Sequence, residues 1–282
     1  MTSAATFDRA TSLAVAFGFS VSLGVATVAI PLLALDAGYD AAAVGFLTAA
    51  SAAAQLAFRL ALPWLLGWFS DRTLIAAASA TMLAGFALLL FSTDLPVFVL
   101  AQLCQGTARA IFWTASQTHA IRGGARPIQR LIDLNVSGNA GTLVGPTLAG
   151  SLAVFGLPVA LLAAAIGAGL ATVGSIFLVP YAAYDRKLSV GTTGLLRRNG
   201  VDVACWATIV GGAWWSMIGS YIPVLLVQGG IGPQLIGLLV TASEGAGTIA
   251  LLSLRNIPGR LIRRAVRLGA VVSTLALISV AL

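Results

Sequence analysis

Residues 141–150 read Gly141-Thr142-Leu143-Val144-Gly145-Pro146-Thr147-Leu148-Ala149-Gly150, in the middle of a long apolar run. In a water-soluble helix such a run is self-defeating, because each glycine costs about 1 kcal/mol against alanine and each proline about 3 kcal/mol. In a bilayer the penalty softens, since no water competes for the backbone and neighbouring helices close over the freed groups. Small residues four apart also strip the bulk from one helix face and let a second helix come close. Spacing alone makes the stretch a packing surface inside a membrane.

The rest of the chain supplies that membrane. Of 282 residues, 59% are hydrophobic and 9% charged, against about 25% charged in an ordinary soluble chain. The apolar residues gather in nine blocks: 11–35, 43–66, 73–92, 96–118, 130–155, 158–180, 201–227, 233–254 and 265–282. These lengths lie near the ~20 residues that cross a bilayer as a helix. The sequence shows none of the ~10-residue alternating segments of a membrane barrel. The first block is too long for a cleaved signal peptide and counts as a span. The class is an all-α, polytopic helical membrane protein.

Charge sets the orientation. Connections on one side carry Arg9; Arg72; Arg122, Arg126 and Arg130; Arg186, Lys187, Arg197 and Arg198; and Arg255, Arg260, Arg263, Arg264 and Arg267, which are 14 of the 16 basic residues. The other side carries only Asp36, Asp40 and Asp94. The positive-inside rule then predicts a cytoplasmic N-terminus, and the protein is expected in the cell (plasma or inner) membrane. The net charge of +7 reports this topology and contact with anionic lipid, and no nucleic-acid partner is expected. Trp64, Trp68, Tyr181 and Tyr184 fall at the same interface, where amphipathic rings belong.

Cys104 and Cys205 sit in apolar runs and read as buried thiols. The single histidine, His119, excludes a site that needs two imidazoles. No cofactor and no metal are expected. The signatures Gly-x-Ser-x-Gly, His-Glu-x-x-His and Gly-x-x-x-x-Gly-Lys-Ser/Thr are missing, so neither an enzyme nor an ATP-driven pump has support.

Sliding the chain by 192 residues places Ile30-Pro31 on Ile222-Pro223, Gly38 on Gly230, Gly45 on Gly237, Gly67 on Gly259 and Arg72 on Arg264. Without a gap, 13 of the 43 positions from 30 to 72 are identical. Spans 1 and 2 thus correspond to spans 7 and 8 in the same orientation, a parallel repeat of a six-helix unit. The expected organisation is a complete six-helix bundle over 1–180, a cytoplasmic linker over 181–200, and the first three helices of a second bundle over 201–282. On this count the chain is expected to be a fragment, short of its second half by about a hundred residues and three spans, with a complete nine-span protein as the alternative.

This architecture resembles the major facilitator superfamily, and three motifs carry the resemblance. Gly67-Trp68-Phe69-Ser70-Asp71-Arg72 is similar to the first half of that family's Gly-x-x-x-Asp-Arg/Lys-x-Gly-Arg-Arg/Lys loop signature. The second half is absent. Gln105-Gly106 fits the family's Arg-x-x-Gln-Gly element, with Gln102 in place of the arginine. Gly141 to Gly150 matches Gly-x-x-x-Gly-Pro-x-x-Gly-Gly except at Ala149. The resemblance implies a secondary transporter. The third motif implies the proton-antiporter type, exporting drugs or metabolites. It further implies that Gly67, Asp71 and Arg72 belong to a gating loop. Gly141, Gly145, Pro146 and Gly150 form a helix-packing motif, of which Gly141, Gly145 and Gly150 are expected to face span 8 at the seam between the halves. Uptake of a sugar or organic anion is the alternative, and a non-transporting receptor, regulator or remnant is another.

Ionisable groups inside a span are costly and mark function by default. Arg109 and Glu244 lie deepest, as an anion or carboxylate partner and a proton carrier respectively. Arg59 is nearer the basic side and within reach of lipid headgroups. Gln55, Gln105, Gln117 and Asn139 offer neutral hydrogen-bonding groups, and Trp113, Trp214, Trp215 and Tyr221 offer aromatic walls. The expected partners are a small-molecule substrate, H+ as coupling ion and membrane lipid. A monomer is expected.

Overall fold

The computed structural model describes residues 3–123, 126–184, 212, 217–254, 268 and 271. Among the described residues every regular element is helical. Six long helices come first: α1 (Ser3–Asp36), α2 (Ala41–Leu66), α3 (Asp71–Phe91), α4 (Leu95–Arg122), α5 (Pro127–Ala153) and α6 (Leu157–Ser175). A π-helical turn over Met217–Tyr221 then leads into α7 (Ile222–Gln228), and α8 (Pro233–Leu254) follows. The expected ninth span, 265–282, and positions 185–200 of the expected linker lie outside the described residues, apart from Leu268 and Val271.

Short polar motifs start the helices. The Asp40 carboxylate accepts from the Ala43 N–H at 2.8 Å, and the Ser70 hydroxyl accepts from the Thr73 N–H at 3.2 Å. Each satisfies a donor that the first turn leaves without a partner. Prolines stand in the first turns of α4, α5, α6 and α7, where a missing N–H costs nothing.

Five described helices are long and apolar enough to cross a membrane: Ala5–Asp36, Ala41–Leu66, Asp71–Phe91, Leu95–Arg122 and Leu157–Ser175. The protein is a multi-pass membrane protein. With 27 residues, α5 is also long enough, at about 40 Å. Among its less apolar residues, Gly141, Gly145, Gly150 and Thr147 serve contacts with other helices. Helix α1 is the axis of the first bundle, packed against α5 and α6, while α2 and α3 flank α4. The Ser22 hydroxyl donates to the Ala164 carbonyl of α6 at 2.7 Å. Phe19, Phe86, Phe98 and Phe112, all fully buried, fill the interior.

The internal repeat is visible in the backbone. Gly38 and Gly230, 192 residues apart, both take positive φ, at 87° and 76°. Three main-chain hydrogen bonds recur at the same offset: Ala37, Gly38 and Tyr39 donate to Leu33, Leu35 and Ala34, and Gly229, Gly230 and Ile231 donate to Leu225, Val227 and Leu226. Helices α2 and α8 then begin at equivalent positions, 41 and 233.

The packing motif corrects one expectation. Gly141 and Gly145 do not face span 8; they face α1. A Cβ on Gly145 would lie 2.5 Å from the Cα of Gly24, and one on Gly141 would lie 2.5 Å from the Phe17 carbonyl oxygen. Of the three glycines only Gly150 meets α8, where a Cβ would lie 2.5 Å from the Pro233 carbonyl oxygen and 3.1 Å from the Cα of Gly237, and the Pro146 carbonyl meets Gly237 beside it. The reason is helical phase. At about 100° per residue, 141 and 145 share a face, whereas 150 is rotated about 140° from 145 and lines up with Pro146 instead.

At the α5–α8 contact, the Thr241 hydroxyl accepts from the Thr147 N–H at 3.1 Å and donates to the Leu143 carbonyl at 3.2 Å. It thus lies between a donor and an acceptor one turn apart on α5. The Thr147 and Thr241 hydroxyls are 2.7 Å apart.

Gly145→Ala should lower stability in detergent by about 1–3 kcal/mol, as overpacking does. A Cβ at Gly45 meets nothing within 4 Å, so Gly45→Ala should change it by less than about 0.5 kcal/mol. Thermal melting of the two variants side by side checks the contrast.

Candidate functional site

A cavity of about 440 Å³ opens between α1, α2 and α4, with Gly212, Gly219 and Ser220 also lining it. Its volume lies within the usual range for small-molecule sites. Helix α4 provides one polar stripe: Gln105, Arg109 and Trp113 follow at intervals of four residues and all line the cavity. That spacing stacks them on one helix face. Arg109 stands at the middle of this 28-residue helix. Opposite, α2 presents Gln55 and Arg59 four residues apart, with Thr48 and Ser51. Gln105 is 1% exposed, and its Nε2 has no hydrogen-bond partner among the described residues.

The structure thus brings together Arg59, Gln55, Gln105, Arg109 and Trp113. Arg59, placed by sequence within reach of headgroups, lines the cavity with them. Gln102, met in the sequence only as a departure from a motif, lines it too. Gln117, Asn139, Tyr221 and Glu244 are not among its lining residues. Gln117 and Asn139 are half-buried, Tyr221 is exposed, and Glu244 is half-buried on α8. Trp214 and Trp215 lie outside the described residues.

A second polar assembly occupies the end of the bundle that carries the basic residues. Asp71, in the first turn of α3, is fully buried, with its Oδ2 3.1 Å from Arg122 Nη1 and its Oδ1 accepting from the Thr118 hydroxyl. Arg122 Nη2 also donates to the Ala182 carbonyl at 2.6 Å, and the guanidinium lies 4.6 Å from the Tyr184 ring centroid. Arg72 donates to the Leu178 carbonyl at 3.5 Å. Gly67 ends α2, its N–H reaching the Trp64 carbonyl. The expected gating loop therefore ties α3, α4 and the segment after α6 into one network.

Beside it, Asp8 of α1 lies 3.2 Å from His119 Nε2 and 3.8 Å from Arg130 of α5, and accepts from the Val179 N–H at 2.9 Å. Arg9 pairs with Asp133. Burial, with the Asp8 carboxylate nearby, pushes the Tyr181 phenol above its ordinary range, and burial with Asp71 does the same for Tyr184. Both rings lie beside the Arg122 guanidinium. The sequence did not reveal Asp8–His119–Arg130, because its members are spread over more than a hundred residues.

A helical multi-pass protein with an internal repeat and a polar mid-bundle cavity is the class these features define. The family model described as Major Facilitator Superfamily matches residues 12–282. The chain belongs to that superfamily. Two MFS-type transporters of Mycobacterium tuberculosis, from strains CDC 1551 / Oshkosh and ATCC 25618 / H37Rv, are each 33% identical over 113 residues, 40% of this chain. The matched stretch spans 27% of each relative's length. A variant of the nucleoside transporter NupG superposes with a TM-score of 0.68 at 14% identity, covering 91% of this chain and 68% of that one. A POT family transporter in complex with a thioalcohol-conjugated peptide superposes at 0.54 and 15% identity, covering 74% and 46%. At these identities the two structures bear on the fold alone. It is the fold expected: a six-helix bundle with the opening helices of a second.

Breaking the Asp71–Arg122 pair from one side leaves a buried charge, so Arg122→Gln should destabilise the protein by about 3–5 kcal/mol. Adding Asp71→Asn should recover a large part of that loss. A double-mutant cycle on thermal melting in detergent measures the recovery.

Proposed function

We propose that the protein is a secondary active transporter of a small molecule, coupled to protons and exporting its substrate by alternating access. The observation that carries this reading is the cavity. It is solute-sized, it sits at the middle of α4, and it lies between the first bundle and the beginning of the repeated unit. Transporters built from repeats hold their substrates at such interfaces and expose them alternately as one half rocks against the other. In this reading 1–180 is the first half, 181–200 a cytoplasmic linker, and 201–282 the first three helices of the second half. The N-terminus is cytoplasmic in the cell membrane, consistent with the one-sided distribution of arginine and lysine. The gating loop is Gly67, Asp71 and Arg72, whose network clasps the basic end of the first half.

Support for the export direction comes from the Gly141–Gly150 element, by its resemblance to antiporters. Support for proton coupling comes from Glu244, an acid within α8, the helix that forms the seam with α5 through Thr241 and Gly237. An ionisable group at a moving interface can exchange its proton with the two sides in turn.

Whole protein reconstituted in vesicles with an internal pH dye tests the reading. Solute addition should move protons across the membrane, and Glu244→Gln should abolish that movement while solute binding persists. Undiminished proton movement in Glu244→Gln would remove the residue from the coupling.

A further inference from the structure

Trp113 forms part of the cavity wall on α4, and what gives its ring a place lies outside the cavity. Gly138 of α5 is buried and is not among the lining residues. A Cβ built on it would overlap Cη2 of Trp113 and lie 3.2 Å from Cζ3. The far edge of the indole thus covers the spot where a side chain would begin. Non-bonded carbons attract at about 3.5–4.0 Å and repel well inside that distance, so a methyl group and the ring exclude each other here. Gly138 differs in this from the glycines that follow it on α5. At Gly141 and Gly145 an added Cβ would first meet the backbone of α1. Those two let helices approach, whereas Gly138 makes room for one side chain.

The indole has one direction in which to yield. On the α1 side, the Ser20 hydroxyl oxygen lies 3.3 Å from the same Cβ position. The Phe112 ring stands edge-on to the indole, with centroids 5.7 Å apart, and is itself stacked on Phe19 at 3.6 Å. Phe19, Ser20 and Phe112 are all fully buried. Helix α5 is held against α1 by the close contacts at Gly141 and Gly145. Added volume in a packed interior is taken up where the structure gives most easily, and a side chain turns about its χ angles more readily than packed helices part. The unfilled space beside Trp113 is the cavity of about 440 Å³. A ring displaced from Gly138 turns into that space and narrows it.

We propose that Gly138 is a positioning residue that sets the width of the cavity. By giving the far edge of the Trp113 indole a place against α5, it decides the largest solute that fits between α4 and α2. Gly138 is a specificity determinant that touches no solute itself. That the limit applies to a transported solute rests on the cavity being the transport site; the packing of Trp113 on Gly138 does not.

The test reads the cavity through a thiol on the opposite wall. In the whole purified protein carrying Cys104→Ala and Cys205→Ala, Gln55→Cys supplies that thiol. Methyl and benzyl methanethiosulfonate are reacted with it separately, and the ratio of the two rates cancels the thiol's own reactivity. Adding Gly138→Ala should slow the benzyl reagent about tenfold and the methyl reagent by less than about twofold. Adding Trp113→Phe as well, which shortens the ring, should restore the benzyl rate. Equal slowing of both reagents, an unchanged benzyl rate, or slow benzyl labelling that persists with Trp113→Phe would each overturn the proposal. Where Gly138→Ala alone does not yield a single folded species, Trp113→Phe serves as the background. Trp113→Phe should speed the benzyl reagent about threefold or more, and Gly138→Ala added to it should change that rate by less than about twofold. Failure of either would overturn the proposal. Size-dependent labelling without solute-linked proton movement would keep Gly138 in this role and reject the transporter. Proton movement intact with labelling indifferent to Gly138 would keep the transporter and reject the role.

Discussion

The structure depends on backbone-to-backbone contact along α5. In a bilayer, lipid tails are as apolar as leucine, so helices gain little by hiding apolar side chains from one another. They associate where their surfaces fit closely, and glycine allows the closest fit. Helix α5 uses this twice, meeting Gly24 of α1 through Gly145, and Gly237 of α8 through Gly150. One face locks it into the first bundle and another carries the start of the repeated unit. Its low hydropathy follows from the same requirement. A helix enclosed by other helices has less need of leucine or phenylalanine to face lipid.

Pro146 belongs to the same contact. A proline within a helix leaves the carbonyl four residues earlier without its donor and loosens the next turn. The Thr241 hydroxyl lies at that turn, accepting from Thr147 and donating to Leu143. The α5–α8 contact therefore combines backbone contact with a small set of directional hydrogen bonds. Such hydrogen bonds within membranes are worth about 0.6 kcal/mol on average, weak enough to break and re-form.

Much of this was legible. The two left-handed glycines and the matching helix starts at 41 and 233 follow from identities at an offset of 192 residues. Arg109 stood out because a charge in mid-span is costly. Gly141 and Gly145 face α1 because the motif does not lie on one helix face. Five residues separate Gly145 from Gly150, which turns the second glycine well away from the first. Arg59 was harder to place, because distance to the membrane surface says nothing about which neighbour a helix face meets. The place of Gln102 in the cavity and the Asp8–His119–Arg130 cluster depend on helices meeting at given heights, which no local window contains.

Sequence alone determined the membrane class, the helical spans among the described residues and the duplication. Each of these is a property of a single segment or of one segment compared with another, set by hydropathy, helical period and local identity. Only the tertiary structure decided that Arg59 and Arg109 share one cavity, that Asp71 and Asp8 are enclosed in separate networks, and that the glycine–proline run serves two partners. These are distances between segments far apart in the chain. They are fixed by how closely helix faces approach, and glycine and proline at 145, 146 and 150 set that approach.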